Sequence, residues 1–109
     1  SRKVAAAIAA GCTIILKPAS ETPGTCMHMI QACKDAGVPN GVVNLVTGKS
    51  SFISEYLISS PIIKKVSLTG SVEVGKKILK MAASGIKKVS MELGGHAPVL
   101  VFAVRARGI

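Results

Sequence analysis

Aromatic and acidic side chains are both scarce in this sequence. There is no Trp, and one Tyr and two Phe are the only aromatic residues among 109. Single-stranded nucleic acids are bound by stacking bases on aromatic side chains, and the sequence offers no such platform. Five acidic residues stand against fourteen Lys and Arg, so the formal net charge is +9. Because the basic residues are spread along the whole chain, we interpret them as solvated surface charge, or as charge that an acidic partner balances, and we rank nucleic-acid binding lower.

Long apolar runs are also missing. The uncharged run that opens the chain, residues 4–16, is interrupted by Gly11 and Thr13. A membrane-spanning helix needs roughly 20 consecutive apolar residues. We therefore predict no membrane-spanning segment.

The cysteines and histidines lack the spacing of a disulfide or a metal site. Cys12, Cys26 and Cys33 are an odd number without a C-x-x-C pair. The last two are predicted on one helix face, roughly 10 Å apart along the axis, which is too far for a disulfide. His28 and His96 have no Cys or Glu at ligand spacing. We predict small buried cysteines, no metal, and a reducing compartment, which is the cytoplasm, with the mitochondrial matrix as the alternative.

Aliphatic residues are abundant. Hydrophobic residues make up 49% of the sequence and the mean hydropathy is +0.49, which is high for a soluble domain that stands alone. Ala, Val, Ile and Leu suit parallel strands covered by helices. We expect one domain, with part of its apolar surface packed against protein outside this sequence.

Short apolar strand patterns alternate with helical patterns. Strands are predicted at residues 13–17, 42–46, 65–69, 88–91 and 97–102, and helices at 1–10, 23–36, 51–58 and 72–84. The predicted helix N-caps are Thr22, Ser50 or Ser51, and Ser71. This alternation favours a parallel sheet with crossover helices, so the predicted fold class is α/β, with about five strands. The K-K-V-S repeated at residues 64–67 and 87–90 is interpreted as a coincidence of strand chemistry.

The stretch 64–75 organises the rest of the chain. It predicts a buried strand, a tight turn at Gly70 and a helix that begins after Ser71. The free N–H groups at such a helix start bind anions, usually a phosphate. In parallel sheets, ligands bind beyond the carboxyl ends of the strands. Four predicted strands end in residues suited to one shared site, namely Lys17, Thr47-Gly48, Gly70-Ser71 and Glu92.

Each of these residues also has a plain interpretation. Lys17 is either an exposed strand-end lysine or a cation directed at ribose or phosphate. If a nucleotide binds there, the neutral Ser20 leaves room for the 2′-phosphate of NADP, although Glu21 lies beside it. Glu92 is either a solvated strand-end carboxylate or a desolvated general base with a raised pKa.

The segment 70–77 also resembles a phosphate-binding P-loop. It reads G-x-x-x-x-G-K-K, but Lys77 stands where a P-loop has the Ser or Thr that holds Mg²⁺. A degenerate P-loop NTPase therefore ranks low. A basic α/β module that binds nucleotides or nucleic acid without catalysis is the second alternative.

Taken together, five motifs resemble those of the aldehyde dehydrogenase superfamily. They are L-K-P-A-S at 16–20, T-P at 22–23, G-V-P-N-G-V-V-N at 37–44, L-T-G-S-V-E-V-G at 68–75 and M-E-L-G-G at 91–95. They stand in family order and extend over positions 1 to about 102. Within the superfamily, K-P-A-S, K-K-V-S-M-E-L-G-G and A-P at 97–98 are most similar to succinate-semialdehyde dehydrogenases.

This resemblance implies a Rossmann-like cofactor-binding domain at residues 1–102. It implies NADP as cofactor, with NAD as the alternative, a small aldehyde, succinate semialdehyde, as substrate, and a homo-oligomeric parent enzyme. Glu92 matches the general base that activates water for thioester hydrolysis. The implied cofactor contacts are Lys17, Pro18, Ala19 and Ser20 at the adenosine ribose and its 2′-phosphate, Gly70 and Ser71 at the pyrophosphate, and Leu93 at the nicotinamide.

The resemblance is to a portion of an enzyme. Cys12, Cys26 and Cys33 do not match the family's nucleophile, which lies further downstream. Residues 103–109 depart from the family's acidic continuation and form an atypical tail. The isolated chain is therefore expected to be inactive, with the remainder of the same enzyme as its partner.

Overall fold

The computed structural model describes residues 2–102. Helices and strands alternate throughout, which confirms the α/β fold class. The elements are α1 (Arg2–Ala9), β1 (Ile14–Leu16), α2 (Pro23–Asp35), β2 (Val43–Leu45), α3 (Ser50–Ser59), β3 (Lys65–Gly70), α4 (Val72–Ser84) and β4 (Lys88–Leu93).

The four strands form two parallel pairs. In the first pair, β1 lies beside β2 with Ile14 opposite Val43. In the second, β3 lies beside β4, from Lys65 opposite Lys88 to Gly70 opposite Leu93. The described strands therefore make two small sheets in place of the expected single sheet. Both pairs are parallel, as predicted.

The predicted strand over residues 97–102 is wrong. The structure describes this segment as irregular, with Val99, Leu100, Val101 and Phe102 each at least 80% exposed. Its apolar sequence suits a strand, but a strand also needs a neighbour for its backbone hydrogen bonds, and residues 2–102 supply none here. The atypical tail at 103–109 lies outside the described residues.

The two faces of the β3–β4 pair differ. Val66, Leu68 and Met91 pack against a core of Ile58 and Ile78. The alternating residues point the other way, and they are polar and exposed. Parallel sheets usually have both faces covered, whereas the polar face of this pair is exposed, with Arg2 and Lys3 of α1 contacting it near the strand ends.

The buried core is small. Among the described residues, only Val4, Ile53, Ile58, Ile78 and Ala82 are buried hydrophobics. Fourteen large hydrophobic side chains among residues 2–102 are exposed. Much of the apolar surface expected from the composition is therefore exposed, and Cys12, Cys26 and Cys33 are free and not fully buried, contrary to the prediction of buried cysteines.

The helix ends confirm some of the predicted caps. The Ser71 side chain accepts a hydrogen bond from the Val74 N–H at 3.3 Å, so Ser71 is the N-cap of α4. Thr22 precedes Pro23 at the start of α2, but its side chain makes no cap hydrogen bond. The N-cap of α3 is Lys49, so the prediction of Ser50 or Ser51 is wrong: the helix begins at Ser50 itself.

No helix among the described residues is long and apolar enough to cross a membrane.

Candidate functional site

A cavity of about 280 Å³ lies beyond the ends of β1 and β2. The β1–β2 register brings the two strand ends to one edge, so the loops that follow both strands face the same space. The predicted convergence of these two strand ends is therefore present. The lining residues are Lys17, Pro18, Ala19, Ser20, Pro23, Thr47 and Gly48.

Two side chains of this cavity have defined polar contacts. The half-buried Lys17 donates from Nζ to the carbonyl oxygen of Pro18 at 2.6 Å. An ammonium group has three protons, so Lys17 retains two further donors. The Ser20 hydroxyl lies 3.3 Å from that of Ser50, the first residue of α3. The cavity is therefore lined by one cation, Lys17, and by the neutral hydroxyls of Ser20 and Thr47, with the Ser50 hydroxyl beside that of Ser20.

Glu92 lies near the end of β4, where two residues contact its carboxylate and a third contacts one of those two. Thr69, its cross-strand neighbour in β3, donates to Oε2 at 2.9 Å. The Arg2 guanidinium donates to Oε1 and forms a salt bridge. Lys3 donates from Nζ to the Thr69 hydroxyl at 2.7 Å. Lys3, Thr69 and Glu92 therefore form a continuous hydrogen-bonded chain.

These contacts lower the pKa of Glu92. The Thr69 hydrogen bond has the largest effect and the Arg2 hydrogen bond the next, because both favour the ionised carboxylate. The side chain is 41% exposed, so desolvation has little opposing effect. Of the two interpretations of Glu92, the described chain contradicts the desolvated base with a raised pKa, and Glu92 is a hydrogen-bonded carboxylate that stays ionised at neutral pH.

The turn between β3 and α4 is exposed at Gly70 and Ser71. Ser71 caps the helix, and Glu73 lies in the first helical turn. Hydrogen bonds from its own backbone N–H and from Ser71 lower the pKa of Glu73. This carboxylate therefore shares the helix start with any anion that binds there.

Leu93 packs against the backbone of α4. A Cβ atom built on Gly75 would lie 2.6 Å from Cδ2 of Leu93, which no real contact tolerates. Gly75 thus allows the helix to approach the end of β4 closely. The same contact argues against a P-loop, since α4 begins at Val72 and Gly75 is a helical packing residue, where a P-loop would have it in the phosphate-binding loop.

The predicted site residues fall into two groups. Lys17, Pro18, Ala19 and Ser20 line the β1–β2 cavity, while Gly70, Ser71, Glu92 and Leu93 lie at the ends of β3 and β4. Helix α1 connects the groups, because it contacts β1 and also supplies Arg2 and Lys3 to the second group. The roles of these residues toward a cofactor or substrate stay predictions.

The predicted site residues do not include Arg2, Lys3, Thr69 or Ser50. Thr69 had a signal, because it is the last residue but one of β3 and Glu92 is the last but one of β4, and strands in parallel register bring such positions together. Arg2, Lys3 and Ser50 had none, because their contacts depend on how the helices lie against the strands. Among the described residues no cluster of three metal-ligating side chains exists.

Comparisons with known proteins identify the family of the chain. The aldehyde dehydrogenase family profile matches residues 1–105. Succinate-semialdehyde dehydrogenase [NADP(+)] of Escherichia coli is 48% identical over 102 residues, which are 94% of this chain and 21% of that protein. The chain thus spans about a fifth of the length of the curated relatives it matches.

Two solved structures give the same result. Succinate-semialdehyde dehydrogenase from Burkholderia pseudomallei superposes with a TM-score of 0.87 at 44% identity, covering 93% of this chain and 21% of that chain. A variant of aldehyde dehydrogenase C from Pseudomonas syringae, in complex with NAD⁺ and octanal, superposes with a TM-score of 0.83 at 42% identity, covering 87% and 20%. With a family match over nearly its whole length and solved relatives of the same fold, the chain belongs to the aldehyde dehydrogenase family.

Proposed function

We propose that this chain is the NADP-binding segment of an aldehyde dehydrogenase that oxidises succinate semialdehyde to the acid. The observation that carries the proposal is the cavity beyond β1 and β2, lined by Lys17 and Ser20. Its cation and neutral hydroxyls suit the phosphorylated ribose of NADP. The similarity to an enzyme named for NADP(+) supports this cofactor.

The residues present fit the adenosine end of the cofactor. A site for a ribose 2′-phosphate needs a cation, neutral hydrogen-bond donors and space, whereas a carboxylate there would repel the phosphate. Lys17 supplies the cation, and the paired hydroxyls of Ser20 and Ser50 supply donors. Lys49, which precedes Ser50, adds a second positive charge to this loop. Glu21 is the one nearby acidic residue in sequence, and it does not line the cavity.

The β3–α4 turn has one feature that favours the cofactor's pyrophosphate and one that opposes it. Its exposed backbone and helix start favour an anion, but the Glu73 carboxylate already accepts hydrogen bonds there. We propose that the backbone N–H groups of Gly70 and Ser71 contact the pyrophosphate. The Glu73 carboxylate would keep its hydrogen bonds to its own backbone N–H and to Ser71. Leu93, fixed against Gly75, would border the nicotinamide.

Glu92 is proposed as the base that activates water for release of the acid. When bound, the nicotinamide cofactor accepts hydride from the substrate carbon. Glu92 is ionised at neutral pH and can take a proton from a water molecule at a free lone pair. Thr69 and Lys3 hold Oε2 in place, and Arg2 would have to release Oε1 for the carboxylate to reach the substrate.

The exposed apolar segment 97–102 is proposed to pack against the rest of the enzyme. Val99 to Phe102 are four successive exposed hydrophobic side chains. Exposing such an apolar patch to water is unfavourable, so we expect other parts of the protein to cover it. We propose a homo-oligomeric parent enzyme in the cytoplasm or the mitochondrial matrix.

A chimera tests the proposal. Residues 2–102 replace the matching segment of the E. coli relative, and the chimera is assayed for oxidation of succinate semialdehyde with NADP⁺ and with NAD⁺. We expect NADP⁺-dependent activity, which Glu92→Gln abolishes. A folded chimera that is inactive with both cofactors, while the E. coli enzyme remains active, would refute the proposal.

Cofactor preference is tested in the same chimera. Ser20→Glu should shift the ratio of kcat/KM toward NAD⁺, because a carboxylate repels a phosphate that carries roughly −1.5 to −2 charge. Glu21→Gln is the matched control and should change the ratio little. A wild-type preference for NAD⁺ would show that the NADP assignment is wrong while leaving the enzyme class intact.

A further inference from the structure

We propose a second anion site, on the polar face of β3 and β4, where Lys65 and Lys88 bind a phosphate-type polyanion. The two lysines begin their strands, whereas Ser71 and Glu92 follow or lie near the opposite ends. The proposal is therefore independent of cofactor binding at the other edge.

The register of the two strands creates this site. Because Val66 and Leu68 pack on the core, Lys65 and Ser67 project from the opposite face. All these polar positions are exposed.

Their partners in β4 repeat the same chemistry. Lys88 lies directly opposite Lys65, and Ser90 lies opposite Ser67. Neighbouring strands are about 4.8 Å apart, and residues two apart on a strand are about 6.6 Å apart. Two ammonium groups and two hydroxyls therefore extend from a patch of that size, and every one of them can donate to an oxyanion.

No acidic side chain neutralises the lysine pair in the described part of the chain. The sole carboxylate on this face of the two strands is Glu92, four residues along β4 from Lys88, and Arg2 already pairs with it. Lys64 and Lys87 add further positive charge at the same edge. Lys87 is held by uncharged acceptors, the carbonyl oxygens of Ser60 at 2.8 Å and Ile63 at 2.6 Å.

The positive charges of Lys65 and Lys88 repel each other, and a bound anion would remove that repulsion. Like charges directly opposite each other destabilise a strand pair. The two copies of K-K-V-S lie in register in β3 and β4, which places Lys65 opposite Lys88. This pairing depends on the strand register and cannot be seen in the sequence alone. A bound polyanion would neutralise the pair and stabilise β3 and β4 together.

Pyrophosphate binding to the full chain tests the site. Calorimetric titration is carried out at fixed ionic strength, with NaCl as the compensating salt. The Lys65→Gln/Lys88→Gln double variant should bind pyrophosphate about tenfold or more weakly, because two charge-assisted hydrogen bonds are lost. The Lys76→Gln/Lys80→Gln variant, which removes the same charge from exposed positions on α4, should bind as the unchanged chain does.

Three outcomes would overturn the proposal. They are absence of pyrophosphate binding, a Lys65→Gln/Lys88→Gln variant that binds pyrophosphate no more weakly than Lys76→Gln/Lys80→Gln does, and loss of binding in Lys17→Gln, which would place the ligand in the β1–β2 cavity. The last result would leave the proposed function untouched. If circular dichroism shows that the isolated chain is unfolded, the same titrations are made on the chimera with the E. coli enzyme, and the same outcomes decide.

Discussion

Thr69 and Glu92 stand opposite each other in β3 and β4, and the Thr69 hydroxyl donates to Oε2 of Glu92 at 2.9 Å. The strand register thus positions the proposed base, and Lys3 fixes the hydroxyl from the other side. The carboxylate, on β4, is held by side chains from two other elements, α1 and β3. Glu92 therefore depends on the fold for its orientation as well as for its charge.

Thr69→Val should raise the pKa of Glu92. The variant keeps the shape of the side chain but removes the donor that lowers this pKa most. Carboxyl NMR titration measures the change, with Ser67→Ala as the control because Ser67 lies on the same face and is opposite Ser90. An unchanged Glu92 titration in Thr69→Val would show that Arg2 alone sets the pKa.

Gly75→Ala should destabilise the chain by about 1–3 kcal/mol, because its methyl group would overlap Leu93. Gly24→Ala is the matched control: it is also a helical glycine, but its added Cβ meets nothing within 4 Å. That substitution should stabilise by about 0.5–1 kcal/mol. Urea unfolding measures both. Combining Gly75→Ala with Leu93→Ala should recover part of the loss; equal effects of the two glycine substitutions would contradict the close packing.

Ser71→Ala should lower the free energy of unfolding by about 1 kcal/mol, because Ser71 caps α4 through the Val74 N–H. Thr22→Ala should have a smaller effect, since the Thr22 side chain makes no such bond. Denaturant unfolding compares the two variants. A larger loss in Thr22→Ala would mean that the cap of α2 forms in solution and that of α4 does not.

Ile86→Gly should stabilise the chain by about 1 kcal/mol. Ile86 follows α4 with φ at +50° and is 94% exposed. A β-branched residue is strained in this left-handed region, and its side chain here has almost no packing to lose. Thermal unfolding measures the gain, and Ile86→Ala, which keeps a Cβ, should gain less. Destabilisation by Ile86→Gly would show that the side chain is packed in solution.

Stability should fall when the pH drops below about 4.5, the ordinary value for the two glutamates concerned. The folded chain lowers the pKa of both Glu73 and Glu92, so the unfolded chain binds protons first as the pH falls. Their contribution is complete above the unfolded value and is lost as the pH falls through the folded values. Urea unfolding between pH 7 and pH 3 measures it. The Glu73→Gln/Glu92→Gln variant should show a shallower fall, and an identical profile would contradict these contacts.

The sequence predicted the elements well where local chemistry decides them. Ser71 is a capping residue and is followed by apolar residues at helical spacing, so the sequence predicts the start of α4 correctly. Gly37 at φ +81° closes the turn after α2 as expected. The segment 97–102 was misjudged because its apolar residues indicate burial, whereas a strand also needs a hydrogen-bonding neighbour.

The site residues likewise include some that the sequence predicts and some that it does not. Lys17, Ser20 and Glu92 could be found because each follows or ends a strand and has a side chain with evident chemistry. Arg2, Lys3 and Ser50 could not, since a helix residue shows no preference in sequence for the distant side chain it will meet. The choice between a solvated and a desolvated Glu92 stays open in the sequence for the same reason, because the hydrogen bonds that lower its pKa come from other elements.

By itself, the sequence determined the alternation of helices and strands, the parallel pairing and the family, because periodicity, caps and motifs are local properties. The tertiary structure alone decided which side chains meet across the strands: Thr69 with Glu92, and Lys65 with Lys88. Register and helix placement follow from packing the whole chain at once, and no single segment encodes them.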